Sequence, residues 1–283
     1  MSFRYILALS CQNRPGIVHA VAGLLVARNC NIASSQQFDD PESGLFFMRV
    51  EFESLIGESA DPLREAFVPV AVAHGMTWSI SPVDQRDRLL IMVSRFGHCL
   101  NDLLFRHSIG ALRVDIPAIV SNHRDFEPLA ASYGIPFHHV PVTPATKAEA
   151  EARLLGLVTD LRIDLVVLAR YMQVLSDDLC KALDGRAVNI HHSFLPSFKG
   201  AKPYHQAHKR GVKLIGATAH YVTTDLDEGP IIEQEVERVT HESTPEHLAA
   251  LGRDAEAKAL ARAVGWHVER RVFMAGNRTV VFK

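Results

Sequence analysis

The sequence predicts an α/β protein in two parts: a small N-terminal ferredoxin-like βαββαβ sandwich and a larger C-terminal doubly wound, mostly parallel sheet. Three observations carry this. Patterns over residues 5–80 run strand, helix, strand, strand, helix, strand, which is the split βαβ order. Arg88-Leu89-Leu90-Ile91-Met92-Val93 is an apolar run without alternation, as in a strand buried on both faces of a parallel sheet. Strand and helix patterns then alternate as far as residue 190, the signature of βαβ units.

In the first part, residues 5–10 read as a strand. Residues 15–28 carry apolar side chains at helical spacing, with Pro15 at a permitted first-turn position. Residues 31–38 and 45–52 form a hairpin around Asp39-Asp40-Pro41-Glu42-Ser43-Gly44, which is turn chemistry. Residues 62–74 make the second helix and 76–80 the fourth strand. The polar stretch 82–88 separates two domains, expected at 1–83 and 88–283. In the second part, helices are expected at 100–106, 126–133, 147–161 and 176–183. They separate strands at 88–93, 115–121, 136–140, 164–169 and 187–190. Residues 215–223 and 231–239 then read as antiparallel strands, followed by a helix from 245 to about 262. A last hairpin, 272–282, turns at Gly276-Asn277.

Composition narrows the class. A chain of 283 residues, 47% hydrophobic and 22% charged, has ample apolar material for real cores. A formal net charge of −2 offers no basic field for nucleic acid. Cys11, Cys30, Cys99 and Cys180 have no paired spacing, which argues against a disulfide framework and a zinc site and fits a reducing cytoplasm. The start, Met1-Ser2-Phe3-Arg4-Tyr5, lacks a secretory pattern, and no apolar run reaches about 18 residues, so no membrane span is expected.

The chemistry concentrates at Val188-Asn189-Ile190-His191-His192. Strand periodicity puts Asn189 and His191 on one face of a strand end. An amide beside an imidazole suits a carbonyl oxygen on which negative charge grows. The plain alternative is a pair of satisfied polar groups capping a strand. A second signal, Leu226-Asp227-Glu228-Gly229-Pro230, adds a carboxylate in a turn.

The first part resembles the ACT domain family over residues 1–82, through Leu9-Ser10-Cys11-Gln12-Asn13-Arg14-Pro15-Gly16 and Arg28-Asn29-Cys30-Asn31-Ile32. In that family such turns bind amino acids at a dimer interface. The resemblance therefore implies an effector site at Asn13, Arg14 and Gly16 and a homo-oligomer. The free N–H groups of the helix that follows can hold a carboxylate or simply be capped. A domain used only for assembly is the other implication.

The second part, over residues 87–240, resembles the folate-dependent formyltransferase family, which includes glycinamide ribonucleotide transformylase. The carrying motifs are Leu168-Ala169-Arg170-Tyr171-Met172-Gln173-Val174-Leu175, the Asn189/His191 stretch with Lys199-Gly200-Ala201-Lys202-Pro203-Tyr204, and residues 216–232. The family's catalytic triplet falls on Asn189, His191 and Asp227. The first two would donate to the formyl oxygen, and Asp227 would shuttle the proton. Asp225 is a weaker competitor for that role, and Glu228 a bystander. His220 is expected to contact substrate or orient Asp227, or else to be a core histidine. Backbone groups around Met172, Gln173 and Val174 would hold the pterin edge. His192 stands where many of these transferases carry Pro.

The reaction turns on Ser94-Arg95-Phe96-Gly97-His98-Cys99. In the purine transformylase this loop is Gly-rich and cradles a phosphate. Here one Gly remains, and Phe96 and His98 hinder close backbone approach. Gly97 and His98 are expected to line the substrate crevice instead. Without an acceptor, water is the nucleophile. An ACT domain before this catalytic domain closely resembles the deformylases of 10-formyltetrahydrofolate. That resemblance implies release of formate and tetrahydrofolate, no metal, no cofactor beyond the folate substrate, and a role in one-carbon and purine metabolism. Transfer to an unidentified amine and a non-catalytic folate or amino-acid sensor are the alternatives.

Overall fold

The computed structural model describes residues 3–193 and 203–283. The turn expected at Pro196 and the Lys199 to Lys202 part of the second motif lie outside the described residues. Packing divides the chain into two units, Met1–Gln85 with Trp266–Lys283, and Arg86–Gly265.

The first unit is the expected sandwich: β1 (Arg4–Gln12), α1 (Ile17–Ala27), β2 (Cys30–Asp40), β3 (Leu45–Ser54), α2 (Ala60–His74) and β4 (Thr77–Pro82). Its antiparallel sheet has the order β2-β3-β1-β4. Leu7, Leu9, Val50 and Phe52 point to the helices and meet Val21, Leu25, Leu63 and Phe67 in one core. Pro15 lies before α1 rather than in its first turn. Gly16 is the N-cap, at φ 96°, where a side chain is strained.

The boundary expected at 88–283 is corrected at its far end. The hairpin β12 (Val272–Ala275) and β13 (Arg278–Val281) belongs to the first unit. Phe273, Ala275 and Phe282 pack on Phe47 of β3, with Ala8 and Leu45 beside them. Arg49 donates to the Glu269 carbonyl at 3.1 Å, and Arg278 meets Glu42 at 2.7 Å and Asp40 at 3.2 Å. The cause is legible in β3: Leu45-Phe46-Phe47-Met48 is apolar on both faces, so the face away from the helices needed a cover.

The second unit alternates as expected through β5 (Asp87–Val93), α3 (His98–Ser108), β6 (Val114–Ser121), α4 (Glu127–Ser132), β7 (Phe137–His139), α5 (Lys147–Asp160), β8 (Leu165–Leu168), α6 (Asp177–Ala182) and β9 (Ala187–His191). Helix α7 (Pro203–Arg210), which the sequence pattern did not predict, then precedes β10 (Leu214–Tyr221), β11 (Ile231–Arg238) and α8 (Pro245–Val268), whose last residues fall in the first unit. The sheet order is β11-β10-β9-β8-β5-β6-β7, parallel from β7 to β9 and antiparallel at β10 and β11. Leu89 to Val93 are buried to 1% exposure or less, as a central parallel strand requires. Helix α8 runs beyond the expected end near residue 262.

Candidate active site

Register assembles the site. On β9, Asn189 pairs with Leu168 of β8 on one side and with His220 of β10 on the other. Cross-strand partners share a face, so the Asn189 amide and the His220 ring meet, Nδ2 to Nε2 at 3.2 Å. His220 Nδ1 lies 2.8 Å from the Tyr221 carbonyl, which can only accept, so Nδ1 carries the proton. Burial holds the His220 ring below its ordinary value, against the Tyr221 hydrogen bond and the Asp227 charge. Its Nε2 is then a bare lone pair that accepts from Asn189. One Nδ2–H is spent on His220, and the other is free to serve the cavity.

Asp227 comes from the turn between β10 and β11. Gly229 makes that turn possible, since a Cβ there would stand 1.8 Å from the Tyr221 carbonyl oxygen. Tyr221 N–H bonds Pro230 O at 2.9 Å, closing the turn on the strand. Asp227 itself sits at φ 59°, a left-handed conformation that Asp tolerates better than most residues. Its Oδ2 lies 3.2 Å from His191 Nδ1, and its Oδ1 lies 3.8 Å from His220 Nε2. Burial pushes the Asp227 carboxyl up, but the hydrogen bond from His191 and the charges of His191, His220 and His192 outweigh it. The net direction is below the usual carboxylate range. His191 Nε2, its other nitrogen, is buried and has no hydrogen-bond partner among the described residues.

These groups line one cavity of about 230 Å³. Its opposite wall is the loop after β8, with Met172, Gln173 and Val174. Met172 (50% exposed), Val174 (57%) and Leu226 (59%) form an apolar lip. A flat ring system would cover all three, whereas water leaves them exposed. The loop is tied to the sheet through Ser94, which accepts from Met172 N–H at 3.0 Å and donates to Asn122 Oδ1 at 2.7 Å.

The structure thus gathers Asn189, His191, Asp227, His220, Met172, Gln173 and Val174 around a single cavity. Asp225 and Glu228 are exposed. Gly97 and His98, expected at the crevice, stand apart from this cavity. Gly97 is packed under Phe126, whose ring would lie 2.2 Å from a Cβ, and His98 Nε2 is 2.7 Å from Glu256. The pull of a buried carboxylate on a helix-start histidine explains the difference. Two residues whose part sequence reasoning missed also line the cavity. Arg170 is nine-tenths buried and stacks on Phe96 at 5.3 Å. His192 stacks on His191 at 4.9 Å, and burial, then Arg170 and His191, push it down to about 4. Among the described residues, His98, Cys99 and Glu256 have ligand atoms within 4.8 Å of one another, the spacing of a metal cluster.

The formyl transferase family model matches residues 87–264, and the ACT domain model matches residues 5–67. A formyltetrahydrofolate deformylase of Corynebacterium sp. (strain P-1) is 53% identical over 99% of this chain and 98% of its own. The crystal structure of formyltetrahydrofolate deformylase from Burkholderia mallei superposes with a TM-score of 0.96, at 56% identity, over 99% of this chain and 100% of that one. Glycinamide ribonucleotide transformylase 1 from Symbiobacterium toebii matches with a TM-score of 0.65 at 29% identity, over 70% of this chain and 95% of its own.

Proposed function

This chain belongs to the formyltetrahydrofolate deformylase family, and from that premise we propose how its own residues act. The reaction is hydrolysis of 10-formyltetrahydrofolate to formate and tetrahydrofolate. The pterin lies against the apolar lip of residues 172–174, with the formyl group between Asn189 and His191. Water attacks the formyl carbon as Asp227 takes its proton. The carbonyl π electrons move onto the oxygen, which receives the free Asn189 Nδ2–H and, in the imidazolium form, His191 Nε2–H. Collapse breaks the carbon–nitrogen bond, and the proton held by Asp227 passes to the leaving nitrogen. The folate is itself the substrate, so the steps call on no further cofactor and no metal.

The observation that carries this reading is the His191 Nδ1 to Asp227 Oδ2 contact of 3.2 Å beside Asn189 in one cavity. It couples the oxyanion donor to the base. The test is formate release from 10-formyltetrahydrofolate with no acceptor present. Turnover only on adding an amine would replace hydrolysis by transfer.

For the ACT domain the reading is an amino-acid effector at the Asn13 to Gly16 turn, with copies joined through this domain. Support comes from α1, whose N-cap Gly16 supplies no side chain, and from Arg14, which anchors the turn to α2 through Ala73 O and His74 Nδ1. Strand β2 is an open and largely exposed edge. Four buried free thiols suit the reducing cytoplasm, and among the described residues no helix is long and apolar enough to cross a membrane.

A further inference from the structure

Glu256 of α8 is 1% exposed, and no step above uses it. Its Oε1 accepts from Tyr204 Oη at 2.6 Å. Its Oε2 lies 2.7 Å from His98 Nε2 and 3.3 Å from Arg170 Nε. Three elements therefore converge on one carboxylate: the start of α3, α7, and the end of β8. The arrangement is built for this. A Cβ on Gly252, one helical turn earlier, would stand 2.0 Å from Tyr204 Oη, so only Gly lets that hydroxyl reach Glu256.

Arg170 is where the cavity loop begins. It holds φ 64°, a left-handed conformation that is strained for a non-Gly residue and persists only where the surroundings fix it. Its carbonyl accepts from Ser94 N–H at 3.2 Å, which clamps the backbone. Its side chain is clamped by charge: among the described residues Nε and Nη1 are buried without a directed hydrogen bond, and Glu256, 3.3 Å from Nε, is the ion that faces them. A buried cation stripped of its partner is strongly unfavourable, and the relief open to Arg170 is to swing out and carry the loop with it.

The same cluster has the donor set of a cation site, but the chemistry opposes that role. Both Glu256 oxygens are already bonded, the Arg170 cation competes for them, and burial pushes the Cys99 thiol well above its ordinary value.

We propose that Glu256 is a positioning residue for folate binding: its carboxylate fixes Arg170, and Arg170 fixes the left-handed start of the loop that presents residues 172–174 to the pterin. This rests on the reading of that loop as the folate wall. The experiment uses the full chain with Glu256→Gln, Arg170→Met and the double variant. The readouts are kcat, KM for 10-formyltetrahydrofolate, and Kd for tetrahydrofolate by fluorescence. KM and Kd rise together about tenfold in each single variant while kcat stays within about threefold. The double variant is no worse than either single one, because both break the same link. A Kd unchanged in the folded single variants, or losses that add in the double, overturns the proposal. Should Glu256→Gln fail to fold, Arg170→Met and Glu256→Asp carry the test. Val174→Lys serves as the control on the loop. A shifted Kd there with none in the Glu256 and Arg170 variants removes the positioning role alone. An unshifted Kd there removes the folate wall and the proposal with it.

Discussion

Asp227 combines a strained backbone, a half-buried carboxylate and a histidine partner. At φ 59° it gives up backbone freedom, and what fixes it there is His191 at 3.2 Å. Asp227→Ala should lower kcat by about 10²–10⁴ while tetrahydrofolate still binds. Unchanged turnover would assign the proton to another group. Asn189→Ala, which removes an oxyanion donor, should cost about 10²–10³ in kcat with little change in binding. His191→Ala removes the hydrogen bond and nearby charge that do most to hold the Asp227 carboxyl down, so that carboxyl should titrate higher in the variant, as read by carbonyl-carbon NMR. The sign at His192 is opposite to that of a paired histidine. Its folded value, about 4, lies below the unfolded 6.5, so between those pH values the unfolded chain binds the extra proton. The contribution of this ring to stability should be full above about pH 6.5 and decline as pH falls toward 4, by roughly 3 kcal/mol. Urea titrations at pH 7 and pH 4.5 should show that decline, and His192→Gln should flatten it.

Among elements, the turn after β10 is the most constrained. Asp227 reaches the cavity because Gly229 lets the chain pass within van der Waals contact of the Tyr221 carbonyl, the same carbonyl that fixes the His220 proton. Gly229→Ala must therefore displace the turn, and two catalytic features move at once. The expected outcome is a loss of at least tenfold in kcat, together with a lower melting temperature. A variant with normal kcat would show that the turn yields without carrying Asp227 along. Strand β9 does the complementary work. Its register sets Asn189 against His220, a pairing that a one-residue slip of β9 would destroy by turning Asn189 to the opposite face from His220.

Across the molecule, the C-terminal hairpin stabilises the first unit. Phe273 and Phe282 pack on Phe47, which is fully buried. Phe273→Ala should cost about 3–5 kcal/mol in that unit. Hydrogen exchange would show lost protection in β1 to β4 and unchanged protection in β5 to β9. Equal loss everywhere would show that the two units unfold as one.

Periodicity and turn chemistry in the sequence determined the order of elements, the two sheets, and Asn189 with His191 on one strand face, because these follow from local spacing. The hairpin at residues 272–282 was legible as a hairpin, but nothing local said that it would pack on Phe47 of the first unit. Tertiary structure alone decided which groups act on one another across the fold. That Asp227 binds His191, that His220 holds Asn189, and that Glu256 draws His98 away from the cavity depends on residues dozens of positions apart. Side-chain pairing of that kind is set by sheet register and helix packing, and a neighbour-to-neighbour pattern carries no record of it.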